Sequence, residues 1–219
     1  VEHMVSKHIQ WLDLQPIPTN VTDMLTTVEE VKFFINKQKN SKAPGIDGIK
    51  PIVLKRMSNI FLNFVTKIFN WCLKNCYFPK QFKIAKVIPI LKPGKDKKSP
   101  KSYRPISMLN ILGKIFEKII LIRLNEFTEQ NDILSKEQFG FRRDHSTIHQ
   151  VKRIVNIINT NKNHRKSTGI VFLDIEKAFD SIWHNGIIFK LSKFGYPIHL
   201  QKIIKSFLSD RYFAVNLAM

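Results

Sequence analysis

The chain has 219 residues, with 36 Lys and Arg against 17 Asp and Glu, a formal net charge of +19. A balance this basic points to a polyanionic partner, most simply nucleic acid, and 43% hydrophobic residues including 17 Phe exclude a disordered chain. Two cysteines exclude a disulfide scaffold, and no apolar run approaches the ~18 residues that span a bilayer, so no membrane partner is expected.

Residues 1–20 end in Pro16 and Pro18 and read as a lead-in. Their start has neither a basic nor an apolar leader segment, which gives the expectation of a non-secreted chain, in nucleus or cytoplasm. Opening on Val1, it reads as a fragment or a partial reading frame. The first 40 residues carry four Lys and five acids, so all of the excess positive charge lies beyond them. Thr22 is a plausible cap for a helix to about Lys39, carried by Met24, Leu25, Val28, Val31, Phe34 and Ile35. Residues 41–48, Ser-Lys-Ala-Pro-Gly-Ile-Asp-Gly, are turn chemistry. A long helix is predicted over about 51–76, with Val53, Met57, Ile60, Phe61, Phe64, Val65, Ile68 and Cys72 on one face, ended by Pro79. Cys72 and Cys76, four apart, read as buried reduced thiols.

Residues 84–91 favour a strand in which Pro89 marks an edge or bulge. With the turn at 93–96 they form a basic hairpin. Residues 80–104 hold nine cations against Asp96 alone, and such a cluster repels itself unless an anion arrives. Helices are predicted over 111–130 and about 146–161, a short buried strand over 169–173, helices over 185–194 and 198–209, and a strand from Tyr212.

Three elements carry candidate chemistry. An acid at the end of a buried apolar strand, as Asp174 would be, needs a metal, a cation or several hydrogen-bond donors. It is either a metal ligand or the cap of the following turn. In the basic hairpin, which is otherwise a solvated surface run, Lys92 and Arg104 stand out, because Pro105 stiffens the chain beside an Arg able to grip phosphate bidentately. Around Gly140, Phe139 and Phe141 precede Arg142 and Arg143. This pattern suits a nucleic-acid strand, or else a tight turn with the Phe side chains in the core. His145 and His149 lack the glutamate of a metalloprotease, and no Gly-rich phosphate loop exists.

In this order the elements resemble the reverse transcriptases of non-LTR retrotransposons, the LINE-like and jockey-like elements. The resemblance rests on Lys42-Ala43-Pro44-Gly45-Ile46-Asp47-Gly48, on 87–95 followed by Tyr103-Arg104-Pro105-Ile106-Ser107, on 138–142 with Ser146-Thr147, and on Asp174-Ile175-Glu176-Lys177-Ala178-Phe179-Asp180. It implies an α/β, helix-rich fold of fingers plus an incomplete palm. The expected divisions are 1–40 as lead-in and N-terminal helix, 41–165 as fingers-type region, and 166–219 as the start of the palm, ending before motifs B and C.

The resemblance also implies roles. Asp174 would be the first catalytic, metal-binding aspartate, with the backbone carbonyl of Ile175 beside it on Mg2+. Lys92 and Arg104 would hold the dNTP, Phe179 would be the steric gate under the sugar, and Arg142 and Gly140 would lie along the template. Partners would be an RNA template, a DNA primer and dNTP, with the oligomeric state open. The implied activity is RNA-directed DNA polymerisation by two metal ions in the complete protein; residues 1–219 alone, lacking the paired-aspartate motif, are expected inactive. The alternative is a catalytically dead nucleic-acid-binding remnant. A nuclease would need further carboxylates near Asp174.

Overall fold

The structure, a computed structural model, describes residues 1–175, 178 and 181–215. They form two compact units, one of residues 1–126 with 183–219 and one of residues 127–182.

In the first unit, residues 1–20 are not a bare lead-in. Helix α1 (Glu2–Leu14) buries Val5 and Leu12, and His8 meets the ring of Phe189 edge-on at 5.6 Å. Lys205 pairs with Asp13, and Lys202 Nζ donates to the Gln15 carbonyl at 2.6 Å. The seam is only two residues wide, seven apart, which is too thin a stripe to show in the sequence beside His3, Lys7 and Gln10.

Helix α2 (Val28–Asn36) starts later than Thr22, which sits instead in a 3-10 turn at 22–24. Thr27 is the cap, its hydroxyl accepting from Glu30 N at 3.2 Å. Two clamps fix this start. The Asn70 amide bonds both N–H and carbonyl of Thr26, at 2.8 and 2.9 Å. Arg123, 12% exposed, forks onto Glu30 and also donates to the Leu25 carbonyl.

The helix expected over 51–76 is two: α3 (Pro51–Lys55), with Pro at its first turn, and α4 (Asn59–Lys74), capped by Ser58. Its end is a Schellman turn, in which Cys76 takes a left-handed φ of 49° and Tyr77 N bonds the Cys72 carbonyl. The buried face of α4 also differs from expectation. Leu62, Val65, Phe69, Cys72 and Leu73 point inward, whereas Ile60, Phe64 and Ile68 are exposed. A helix that is apolar nearly all round offers periodicity no unique face. Packing decides, because Phe69 stacks on Phe116 at 4.9 Å, and Phe78 joins them at 5.3 Å.

Strands β1 (Ile84–Leu91) and β2 (Tyr103–Met108) form the expected antiparallel hairpin. β3 (Tyr212–Val215) adds in parallel to residues 84–87, giving the order β2-β1-β3. Pro89 lies beyond that pairing, opposite Pro105, where its missing N–H breaks no bond to β3. Helix α5 (Ile111–Gln130) buries Ile111, Ile115, Phe116, Ile119 and Ile120. Helices α7 (His184–Lys193) and α8 (Ile198–Leu208) complete this unit, burying Ile188, Leu200 and Ile203.

The second unit consists of the last residues of α5, a loop, α6 (Thr147–Asn163) and the segment to Ile182. None of the α6 residues is buried. The strand expected over 169–173 is absent, and Val171, Phe172 and Leu173 are exposed, the last at 91%. An apolar run becomes a strand only through ladder hydrogen bonds to a neighbour, and among the described residues none pairs with this one.

Candidate functional site

The hairpin brings Lys92 and Arg104 together. Arg104 sits opposite Ile90, and Lys92 follows Ile90 by two residues. Directly opposed residues and residues two apart share a sheet face, so both cations project from one face as diagonal neighbours. Lys92 N bonds the Ser102 carbonyl at 2.8 Å, extending the register by one step, while its Nζ donates to the Lys101 carbonyl at 2.9 Å. Arg104 is exposed and makes no ion pair among the described residues. The connecting loop is tied by Tyr103 OH to the Lys97 carbonyl and by Lys98 N to Asp96 Oδ1. Lys83 departs from the basic surface: it is buried, and that burial pushes its ammonium below the usual lysine range.

The 41–48 loop supports this hairpin. A Cβ on Gly45 would come within 2.5 Å of Asn110 N, so only glycine permits the approach. Asn110 in turn caps α5, its Oδ1 accepting from Gly113 N at 3.0 Å and its amide donating to the Gln81 carbonyl. Beside the loop, Gln38, Lys42, Lys114, Glu117, Lys118 and Leu121 line a cavity of about 240 Å³. Burial, then the charge of Lys42, pushes Lys114 below the usual range. Three ammonium groups against the single carboxylate of Glu117 leave the lining of this cavity net positive.

In the second unit, Arg142 Nη1 donates to the Ser135 carbonyl at 3.0 Å, folding the 135–142 loop on itself. Glu137 accepts from Ser135 and from Arg153, the latter at 3.1 Å. These bonds, the Ser135 hydroxyl first, hold its carboxyl below the usual range. Phe141 is 99% exposed with a left-handed φ of 58°, so the reading that places it in the core does not apply. A Cβ on Gly140 would meet nothing within 4 Å. Gly140 lines an open cavity of about 380 Å³ with Glu137, Gln138, Phe139, Thr147 and Gln150.

Asp174 does not end a buried strand. It is exposed in an irregular segment, as is Ile175. Phe179, with Glu176 and Asp180, lies outside the described residues.

The sequence profile of the reverse transcriptase (RNA-dependent DNA polymerase) family matches residues 90–218, from the end of β1 through the Asp174 segment. This chain belongs to the reverse transcriptase family. It is 41% identical over 192 residues to the RNA-directed DNA polymerase from mobile element jockey of Drosophila melanogaster. It is 40% identical over 190 residues to the probable RNA-directed DNA polymerase from transposon BS of the same fly. Each alignment covers 87% of this chain and 21% of the relative, so the chain spans about a fifth of their length. The X-element polymerase of that fly is 39% identical over 187 residues, 85% of this chain and 20% of the relative. The similarity is thus to RNA-directed DNA polymerases of mobile elements.

Reverse transcriptases generally use divalent metal ions. Asp174 and the Ile175 carbonyl are oxygen donors of the kind a hard cation takes. They supply one carboxylate, and among the described residues no group of three or more His, Cys, Asp or Glu gathers to hold a metal. The described donors therefore do not make a complete metal site. No described helix is long and apolar enough to cross a membrane. Sequence reasoning missed Asn110 and Lys114. An Asn three residues before Gly113 was a legible cap signal, but nothing local marked Lys114 as neighbour to Lys42.

Proposed function

We propose that this chain supplies the nucleotide-binding fingers and the opening of the palm of an RNA-directed DNA polymerase, copying an RNA template from a DNA primer. The observation that carries this reading is the shared face of Lys92 and Arg104 on the hairpin. Two cations held side by side on a rigid strand pair can grip a triphosphate, and they neutralise charge as it grows on the leaving pyrophosphate. Lys92 exchanges its bond to the Lys101 carbonyl for phosphate oxygens. Arg142 and Gly140 lie along the template, where the absent Cβ leaves room for a strand. Phe179 is the steric gate under the sugar. Asp174 and the Ile175 carbonyl would hold a divalent ion such as Mg2+ together with further oxygen ligands. When bound, such ions activate the primer 3′-oxygen and stabilise the leaving group. By the motif order, 41–165 is the fingers-type region and 166–219 opens the palm, and the protein works in nucleus or cytoplasm.

The test is photo-crosslinking of residues 1–219 to an azido-dNTP. Lys92→Ala and Arg104→Ala should each weaken labelling by about tenfold, as expected for a lost charge-assisted bond to phosphate. Labelling equal to that of the unsubstituted chain would overturn the assignment.

A further inference from the structure

The outer face of α4 has no role in the site described above. Five of its side chains stand within a wedge of less than a quarter-turn: Phe64 and Trp71 along one line, Lys67 and Lys74 along another, and Ile60 between them. All five are exposed, Ile60 at 83%, Phe64 at 61% and Trp71 at 58%. The two aromatic residues are seven apart, two turns or about 10 Å along the axis, and so are the two lysines. Tyr77 meets Trp71 edge-on at 6.1 Å and steadies it. α4 carries no acidic residue. The amides of Asn63 and Asn75, flanking the wedge, donate to carbonyls of their own helix, at 2.9 and 2.8 Å. The opposite face is committed to the Phe69–Phe116 stack, so this ridge points away from the core that carries the hairpin.

We infer that this ridge is a docking surface for single-stranded RNA, with bases stacking on Trp71 and Phe64 and phosphates paired with Lys67 and Lys74. Exposed aromatic faces alternating with cations, without acids, are how unpaired strands are held independent of sequence. The charge argument selects the occupant. A protein partner for an apolar stripe would gain from neutral flanks, whereas two lysines in register with two rings match a polyanion with stacking faces. The RNA assignment rests on the polymerase reading, and it adds a second contact for the RNA strand apart from the fingers hairpin.

The experiment uses the full 219-residue chain carrying Trp11→Phe and Trp183→Phe, which leaves Trp71 as the sole indole. A U-rich RNA 18-mer, without metal or dNTP, should quench Trp71 emission to saturation. Phe64→Ala should weaken that binding by about tenfold, within the range of one lost base stack. Lys67→Gln with Lys74→Gln should reduce the salt slope of log K by about 1.4, for two single-strand phosphates. All of these positions are exposed, and unchanged far-UV circular dichroism and melting show that each variant folds. RNA binding with no quenching of Trp71 overturns the proposal. So does equal quenching by duplex RNA, or tighter binding of a DNA 18-mer. Self-association in sedimentation that Trp71→Ala abolishes, while RNA affinity stays unchanged, would assign the ridge to a second copy instead. Azido-dNTP labelling without quenching of Trp71 overturns the ridge alone, and quenching without labelling overturns the hairpin alone, so the two failures are told apart.

Discussion

The two compact units are built on different physics. Among the described residues every buried apolar side chain belongs to the first unit, where the rings of Phe69, Phe78 and Phe116 and the isoleucines of α5 form one core. The second unit buries none and is held by polar contacts: the Ser146 cap, the Glu137–Arg153 pair, and Asn161 Nδ2 donating to Thr168 Oγ1. Exposed ion pairs contribute at most about 1 kcal/mol each, whereas one buried ring contributes roughly 1.5–3 kcal/mol. The hairpin cations thus ride on a framework that fixes their geometry. The loop of Gly140 and Arg142 is held by the Arg142–Ser135 bond, the Glu137–Arg153 pair and the Phe139–His145 ring contact, and the described residues of the Asp174 segment are exposed.

Three experiments bear on that contrast. The largest effect belongs to Phe116→Ala, which should cost about 3–5 kcal/mol by opening the aromatic core. Hydrogen exchange should then accelerate throughout 111–120 and 198–208 while 147–163 exchanges as before. Acceleration of both regions in step would show a single cooperative body and break the contrast.

A middle-sized effect concerns Cys72 and Cys76, whose thiols burial pushes up to about 11 each. Both should resist a disulfide reagent at pH 8 until the first unit unfolds. Because the folded state holds these protons more tightly than the unfolded chain, the stability they contribute is complete below about pH 9. It is lost as pH rises through 11, so the denaturant midpoint should fall over that window. Rapid labelling of the native chain at pH 8 would contradict the buried placement.

The smallest effect is Glu137→Ala. The global unfolding midpoint should not move, but amides of the 135–142 loop should exchange faster once the Ser135 and Arg153 bonds are gone. The carboxyl is held below its ordinary range, so this support is present near neutrality. It should fade as pH drops through the depressed value, leaving the first unit untouched. A lowered midpoint would mean that the loop is coupled to a larger core.

Much of the hairpin and helix order was legible. Pro-Gly at 93–94 between apolar runs marks a turn, Ser146 before a helical pattern marks a cap, and Gly195-Tyr196-Pro197 separates α7 from α8 as expected. Helix α1 was not legible, because its two-residue seam has meaning only against Phe189 and α8. The face of α4 was misread because apolar residues ring the helix, and only the position of Phe116 chooses among them. The predicted 169–173 strand fails for a related reason: β propensity is local, but a strand needs an edge to pair with. Asp174 was picked out as an acid ending an apolar run, and its exposure follows from the missing strand rather than from its own chemistry.

The sequence by itself determined the family, through motif order and spacing, and it determined the basic character of the 80–104 region. Those properties are written in residue types at fixed separations. The tertiary structure decided which cations act together. Strand register sets Lys92 beside Arg104, burial withdraws Lys83, and the approach of Gly45 to Asn110 fixes the motif loop that carries Lys42. These are questions of distance between residues far apart in the chain, and only packing answers them.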